Sequence, residues 1–342
     1  MRMGLIAALL VFLAACDRAP VTIEFTGETM GTTYRIVAID KARDLDQDAL
    51  LGAIETTLAD VNSIMSNWDP NSEVSRFNAW TSLEPFQITE EFALVMEAAN
   101  AVHAESDGRF DVTLGPLIEL WGFGSGPPDQ VEIPSDEDIE ATLATIGQDR
   151  VVEFQKNPNA LSKALPGTQI YLAAIAKGHG VDRLAETIRR FGVDNFLVEI
   201  GGDLFASGLN ANGERWRIGI ERPDAGSRTV EQVAEVSDLG MATSGDYRNY
   251  FEKDGRRYSH IIDAVTGRPI THETASVTVL ANSAMEADAW ATALLALGSE
   301  AGAKIAEENG LAAMFIDRDR ASGSSEFAII ETPRFTERQR SQ

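Results

Sequence analysis

Residues 195–221 read NFLVEIGGDLFASGLNANGERWRIGIE, and this stretch decides the fold. Asn195–Ile200 is a strand-like run that ends in the tight glycine turn Gly201-Gly202. Trp216–Glu221 is a second such run, and Tyr258–Ile262 and Ser276–Ala281 follow closely. The helical segments come in blocks instead of alternating with these strands. A doubly wound parallel sheet needs that alternation, so the sequence predicts an α+β fold with a largely antiparallel sheet and packed helices.

Working outward, Gln47–Trp68 carries Leu50, Leu51, Ile54, Leu58, Val61, Ile64 and Met65 at helical spacing. Thr89–Ser106 is a second helix, with Thr89 as N-cap and Gly108 beyond its end. Ser135–Ile146 is opened by Ser135 and closed by Gly147, and Ala173–Phe191 has Gly192 at its C-terminal cap position. Further strands are expected at Tyr34–Ala38, Leu311–Ile316 and Glu326–Ile330. There is no internal repeat and no Pro-rich linker. Residues 23–332 therefore read as one large domain or two close-knit ones with no visible boundary, and residues 333–342 as a polar, frayed tail.

At the N-terminus, Arg2 precedes the apolar run Gly4–Ala15, too short to span a bilayer and shaped like the core of a signal peptide. Leu13-Ala14-Ala15-Cys16 resembles the lipobox of bacterial lipoproteins. Residues 1–15 would then be removed, Cys16 lipidated, and residues 16–22 would form a tether. Asp17 resembles an inner-membrane retention signal, which implies a protein anchored in the cell inner membrane and facing the periplasm. Cys16 is the only cysteine, so lipidation leaves no thiol for a disulfide or a cysteine-zinc site. With 53 acidic against 29 basic residues the net charge is −24, unsuited to nucleic acid or anionic lipid surfaces.

The chemistry begins at residues 283–298, SAMEADAWATALLALG, a helix apolar on almost every side with Asp288 inside it. A buried carboxylate is costly unless paired, hydrogen-bonded or metal-bound. Ser283 and Glu286 have capping-box spacing, so Asp288 lies beyond the first turn and is not the cap. Two readings stay open: pairing with a distant Arg or Lys, or a metal. Thr292 at i+4 adds a second hard oxygen on the same face, as Mg²⁺ sites completed by substrate phosphates and water require. The glycines of FDVTLGP (110–116) and LWGFG (120–124) lack dinucleotide-fingerprint context. The four histidines, 103, 179, 260 and 272, have no zinc-site spacing. His260 sits in SHIIDAVTGRP (259–269), where a lone histidine is more often structural than catalytic.

Taken in order, MGTTY (30–34), MSNW (65–68), SRFN (75–78), FDVTLGP with LWGFG, AIAKG (174–178), EIGGD (199–203), ATSGDY (242–247), SHIIDAVTGRP and the Asp288 helix resemble the ApbE family of FAD:protein FMN transferases. The resemblance implies that Asp288 and Thr292, with the carbonyl of Ala174, hold Mg²⁺ beside the pyrophosphate of FAD. It places Met30, Trp68, Arg109, Phe110, Asp111, Tyr171 and Lys177 around FAD, with His260 and Ile262 toward the flavin. The implied reaction attaches FMN to a threonine (or serine) hydroxyl of a client protein and releases AMP, with His260 accepting the hydroxyl proton. Clients in the family are extracytoplasmic subunits of redox complexes, such as the sodium-pumping NADH:quinone reductase and Rnf-type complexes. The alternatives are FAD hydrolysis to FMN and AMP, or a lipoprotein that only binds FAD. Two positions depart from the family pattern. Ala291 stands where some relatives carry a second carboxylate, and Tyr171 where the family usually has Asp.

Overall fold

The structure, a computed structural model, describes residues 19–124, 132–224, 226, 229–319 and 327–341. The lipobox with Cys16, the signal segment 1–15, Asp17 and the start of the strand expected from Glu326 lie outside these residues.

One large sheet has eight strands: β1 (Val21–Thr29), β2 (Thr32–Asp40), β3 (Phe196–Ile200), β4 (Asp203–Ser207), β5 (Leu239–Gly245), β6 (Thr274–Ala281), β7 (Ala312–Arg318) and β8 (Phe327–Glu331). They lie side by side in chain order, and each neighbouring pair is antiparallel. The α+β class with an antiparallel sheet is thus borne out. β3 and β4 are joined by Gly201-Gly202, whose φ values of 58° and 100° suit glycine alone. β1 begins at Val21, which extends the domain N-terminally from residue 23 and shortens the expected tether.

The long helices are α1 (Gln47–Met65), α2 (Glu90–Glu105), α3 (Ala176–Arg190), α4 (Ala284–Glu308) and α5 (Pro333–Ser341). The side chains of Thr89 and Ser283 cap α2 and α4 by accepting from Phe92 N and Glu286 N, as their spacing predicts. Ser135 does the same for the short helix Asp136–Leu143. α1 stops at Met65, leaving Trp68 in the following turn, and α3 starts three residues later than Ala173. The run Tyr258–Ile262 is two short strands, Arg256–Ser259 and Ile262–Asp263, with His260 between them. Among the described residues, no helix is long and apolar enough to cross a membrane.

One face of the sheet is covered by α1, α3 and α4, through clusters that include Leu50, Leu184 and Val198 on one side and Val279, Leu294 and Phe315 on the other. The opposite face is covered by the hairpin Trp216–Glu221/Val230–Val236 and by α5. The expected polar tail is therefore a packed helix: Phe335 is fully buried in the cluster that holds Trp216 and Met314. A single aromatic anchors an otherwise charged segment, which is why polarity alone misreads it.

α3 and α4 cross closely. A Cβ on Gly178 would lie 2.3 Å from the Ala284 carbonyl oxygen. Asp182 of α3 accepts hydrogen bonds from Ala284 N (2.8 Å) and Met285 N (2.9 Å), capping α4 from the neighbouring helix. Burial pushes the Asp182 carboxyl up to about 6 even against those two amides.

Candidate active site

A cavity of about 440 Å³ opens where the β3–β4 turn, the end of β5, and the helices α3 and α4 converge. A smaller one of about 110 Å³ adjoins it, and Tyr171, Ala173 and Lys177 belong to both walls. Arg109, Phe110, Asp111 and Ala174 line the large cavity, as do His260, Ile262, Asp288 and Thr292. Met30 and Trp68 line the small one. Met30 sits there in the left-handed region, φ 50°, at the β1–β2 turn. Every site residue expected within the described chain therefore faces one composite cleft.

One end of the cleft is organised by charge. Lys177 Nζ lies 2.8 Å from Asp203 Oδ2 and 3.2 Å from Asp288 Oδ1. Gly178 N donates to Asp288 Oδ2 at 3.0 Å. The pairing that sequence left open for Asp288 is thus present, with Lys177 as the partner. Burial pulls the Lys177 ammonium down, but the two carboxylates outweigh it and hold the group above its ordinary value. Burial first, and the neighbouring Asp288 second, push Asp203 up to about 7. Two buried carboxylates against one ammonium leave a surplus negative charge facing the cavity once pH exceeds the raised Asp203 value. Thr292 Oγ1 stands 3.1 Å from Ser244 Oγ and adds hydroxyl oxygens to the same wall. Among the described residues no three His, Cys, Asp or Glu side chains converge as a protein cage for a metal. The donor set fits Mg²⁺, which takes one or two carboxylates and fills its octahedron from phosphates and water. Asp288 and Thr292 could hold it, with Ala174 alongside.

His260 marks the other end. Its Nδ1 is 2.9 Å from the Asn249 carbonyl oxygen, which also accepts from the His260 backbone N at 3.1 Å. A carbonyl only accepts, so Nδ1 carries the proton and Nε2 is the basic nitrogen. Burial holds the imidazole below the ordinary histidine range, partly offset by that carbonyl and by Asp246. Ile262 is buried beside it.

The remaining residues divide by what their polar atoms do. Trp68 is 68% exposed and lines the small cavity, so it is not a core tryptophan. Arg109 Nη1 pairs with Asp263 Oδ2 at 2.5 Å. Asp111 is occupied internally: its oxygens accept from Thr113 N at 2.6 Å, Thr113 Oγ1 at 2.5 Å and Gln148 N at 2.8 Å. The Phe110 carbonyl accepts from His103 Nδ1 at 2.6 Å, so these two residues shape the wall more than they offer polar contacts. Tyr171 is positioned by two amides. Asn67 accepts from Leu172 N (3.0 Å) and donates to the Ile170 carbonyl (2.7 Å), while Asn78 brackets Ile170 at both N–H (2.7 Å) and carbonyl (2.9 Å).

Residues 30–315 match the model of the ApbE family. The chain belongs to the ApbE family. It is 44% identical over 318 residues to the FAD:protein FMN transferase of Vibrio cholerae, covering 92% of this chain and 94% of that one. It is 39% identical over 332 residues to the protein of the same name from Escherichia coli, covering 93% and 92% of the two chains. In three dimensions it resembles the flavin transferase ApbE from Vibrio cholerae, with a TM-score of 0.84 and 40% identity over 93% of this chain and 99% of that one. The flavinyl transferase ApbE of Pseudomonas stutzeri, in its apo form, gives 0.83 and 38%, over 94% of this chain and 97% of that one.

Asp203 and Ser244 are among the residues of this ApbE cleft that escaped sequence reasoning as site residues. Asp203 reads as turn chemistry after Gly201-Gly202, and only the pairing of β3 with β4 beside α3 brings it to Lys177. Its signal was an acidic residue opening the strand DLFAS, which is otherwise uncharged and is buried throughout. Ser244 reaches Thr292 only because β5 lies under α4, and no local pattern announces that contact.

Proposed function

We propose that this ApbE-family protein is a Mg²⁺-dependent transferase. It moves FMN from FAD to a threonine (or serine) hydroxyl of another protein and releases AMP. The observation that carries this reading is one cleft with a charged end at Lys177, Asp203, Asp288 and Thr292 and, at its other end, a singly protonated imidazole, His260.

In this reading FAD lies along both cavities, with Trp68 and Tyr171 at the nucleotide side and Ile262 at the flavin side. Lys177 faces the pyrophosphate, and Asp288 and Thr292 would hold the metal. When bound, Mg²⁺ neutralises phosphate charge and orients the in-line displacement. The client hydroxyl oxygen forms a bond to the FMN phosphorus while the bond from that phosphorus to the bridging oxygen breaks. AMP leaves with the bridging oxygen, and the hydroxyl proton passes to His260 Nε2. Clients would be extracytoplasmic subunits of redox complexes, of the sodium-pumping NADH:quinone reductase or Rnf type. Cys16 would anchor the protein by lipid in the cell inner membrane, facing the periplasm.

One rival is FAD hydrolysis, with water in place of the client hydroxyl; the other is binding without chemistry, which rests on Tyr171, in the wall shared by both cavities, standing where the family usually has Asp. Incubation with FAD, Mg²⁺ and a candidate client separates them. Covalent flavin fluorescence on the client marks the transferase, free FMN the hydrolase, and intact FAD the binder.

A further inference from the structure

Four aromatic rings form a continuous column that ends on His260. At its root, Trp121 is buried and donates its indole Nε1–H to the Gly267 carbonyl at 2.7 Å. Tyr258 stacks on it, with ring centroids 5.8 Å apart and planes 28° apart. Phe251 stacks on Tyr258 at 5.0 Å and 14°, and Phe123 packs on Phe251 at 5.4 Å. Phe123 then meets the His260 ring at 6.3 Å and 66°, an edge-to-face contact.

The column draws on two insertions distant in sequence. Trp121 and Phe123 leave the short helix Gly115–Leu120, while Phe251 and Tyr258 pair across the hairpin Tyr250–Lys253/Arg256–Ser259. That hairpin follows Asn249, whose carbonyl fixes His260 Nδ1. The imidazole is thus held at one edge by a hydrogen bond and on its flank by a ring. A hydrogen bond alone fixes the tautomer but leaves the ring free to swing about it. Offset and edge-to-face aromatic contacts have preferred geometries, so a column rooted in the core transmits that constraint outward.

We infer that Phe123 is a positioning residue for His260, and that the Trp121–Tyr258–Phe251–Phe123 column sets the plane in which the imidazole meets the incoming hydroxyl. The inference rests on His260 being the proton acceptor proposed above. Phe123 also lines the large cavity, so the rival role is a plain wall of the flavin site.

Phe123→Leu keeps apolar bulk and removes the ring. In the full protein with FAD, Mg²⁺ and client, saturated turnover should fall roughly 10- to 100-fold, the scale of a misplaced catalytic group. FAD affinity should stay within about twofold, well under the tenfold that one lost contact of 1.4 kcal/mol gives. Phe123→Tyr, which retains the ring, should restore turnover. A second readout needs no activity. The His260 ring resonance, assigned by its loss in His260→Asn, is followed from pH 5 to 8 by NMR, and in Phe123→Leu both its shift and its midpoint should move. The charged groups that bear on this titration, Asp246 and Arg257, are unchanged in the variant. Phe251→Leu, one ring further back, should move the same resonance by less and serves if Phe123→Leu does not fold. An unmoved His260 titration overturns the inference, and so does weakened FAD affinity with unaltered saturated turnover. If the parent transfers no flavin, the functional reading fails while the NMR arm still decides the positioning.

Discussion

Lys177 of α3 and Asp288 of α4 face each other at 3.2 Å, and the same ammonium stands 2.8 Å from Asp203 of β4. Above the raised Asp203 value of about 7 this triad carries one negative charge in excess, in a wall where uncompensated charge is costly. A divalent cation or a bound phosphate changes that balance, which makes the triad testable from both sides.

Removing Asp288 leaves Lys177 and Asp203 as a neutral pair. Asp288→Ala should therefore fold, lose flavin transfer and no longer respond to EDTA. Full activity of Asp288→Ala in Mg²⁺, with the parent indifferent to EDTA, would sink the metal reading.

Removing the ammonium does the opposite. Lys177→Met leaves two carboxylates facing each other and should cost about 3 kcal/mol in EDTA, the lower end for breaking a buried pair. The low end applies because 29% of the Lys177 side chain is exposed. Millimolar Mg²⁺ should recover part of the loss in a denaturant titration. Equal stability with and without the metal would mean that no cation binds there.

His260→Asn should leave FAD binding intact and lower turnover by roughly 10²–10⁴-fold, the usual contribution of a general base. In its proposed role His260 works when neutral, and its folded pKa lies below the ordinary value of about 6.5, so the acid limb of the rate profile should fall below pH 6.5. The unfolded chain takes up this proton first as pH drops. Stability should therefore be lost as pH falls from 6.5 through the folded value, and His260→Asn should remove that share of the slope. An acid limb above pH 6.5 would assign the limb to another group.

Trp68 buries too little to matter for the fold. Trp68→Ala should shift stability by no more than about 0.5 kcal/mol. It should weaken FAD binding by about 1–3 kcal/mol if the ring stacks on a base. Equal titrations of FAD into parent and variant would place the nucleotide elsewhere.

Tyr171 separates the two cavities and carries a phenol that burial, and then Glu119, push above its usual pKa. It is neutral at working pH, so any contact with nucleotide is a stack or a neutral hydrogen bond, about half as strong as a charge-assisted one. Tyr171→Asp should preserve or improve FAD affinity and Tyr171→Ala should weaken it. Parallel titration with ADP shows which half of the ligand is met. No change in either variant would turn Tyr171 away from the ligand.

How much of this could be read beforehand depended on whether the signal was local. Thr89, Ser135 and Ser283 were legible as caps because a cap is a contact within four residues. β5, Leu-Gly-Met-Ala-Thr-Ser-Gly, carries little strand propensity and is fixed by β4 and β6 on either side. The Asp288 helix advertised an anomaly, a carboxylate among alanines, but its partner lay 111 residues away and only the crossing of α3 and α4 supplied it. His260 looked like any lone histidine, and the Asn249 carbonyl that defines its basic nitrogen became visible only when the strand around it proved to be broken.

The missing methyl at Gly178 makes a caliper of α3 and α4. One jaw bears Lys177, the Gly178 amide and the Asp182 cap, and the other bears Asp288, so the spacing of cation and carboxylate is set without reference to any loop. His260 hangs instead from the insertion between β5 and β6, braced by its own hairpin. The two ends of the cleft are separately mounted on one sheet. In the proposed reaction the His260 end can be reshaped for a different client while the Lys177–Asp288 spacing stays at its setting.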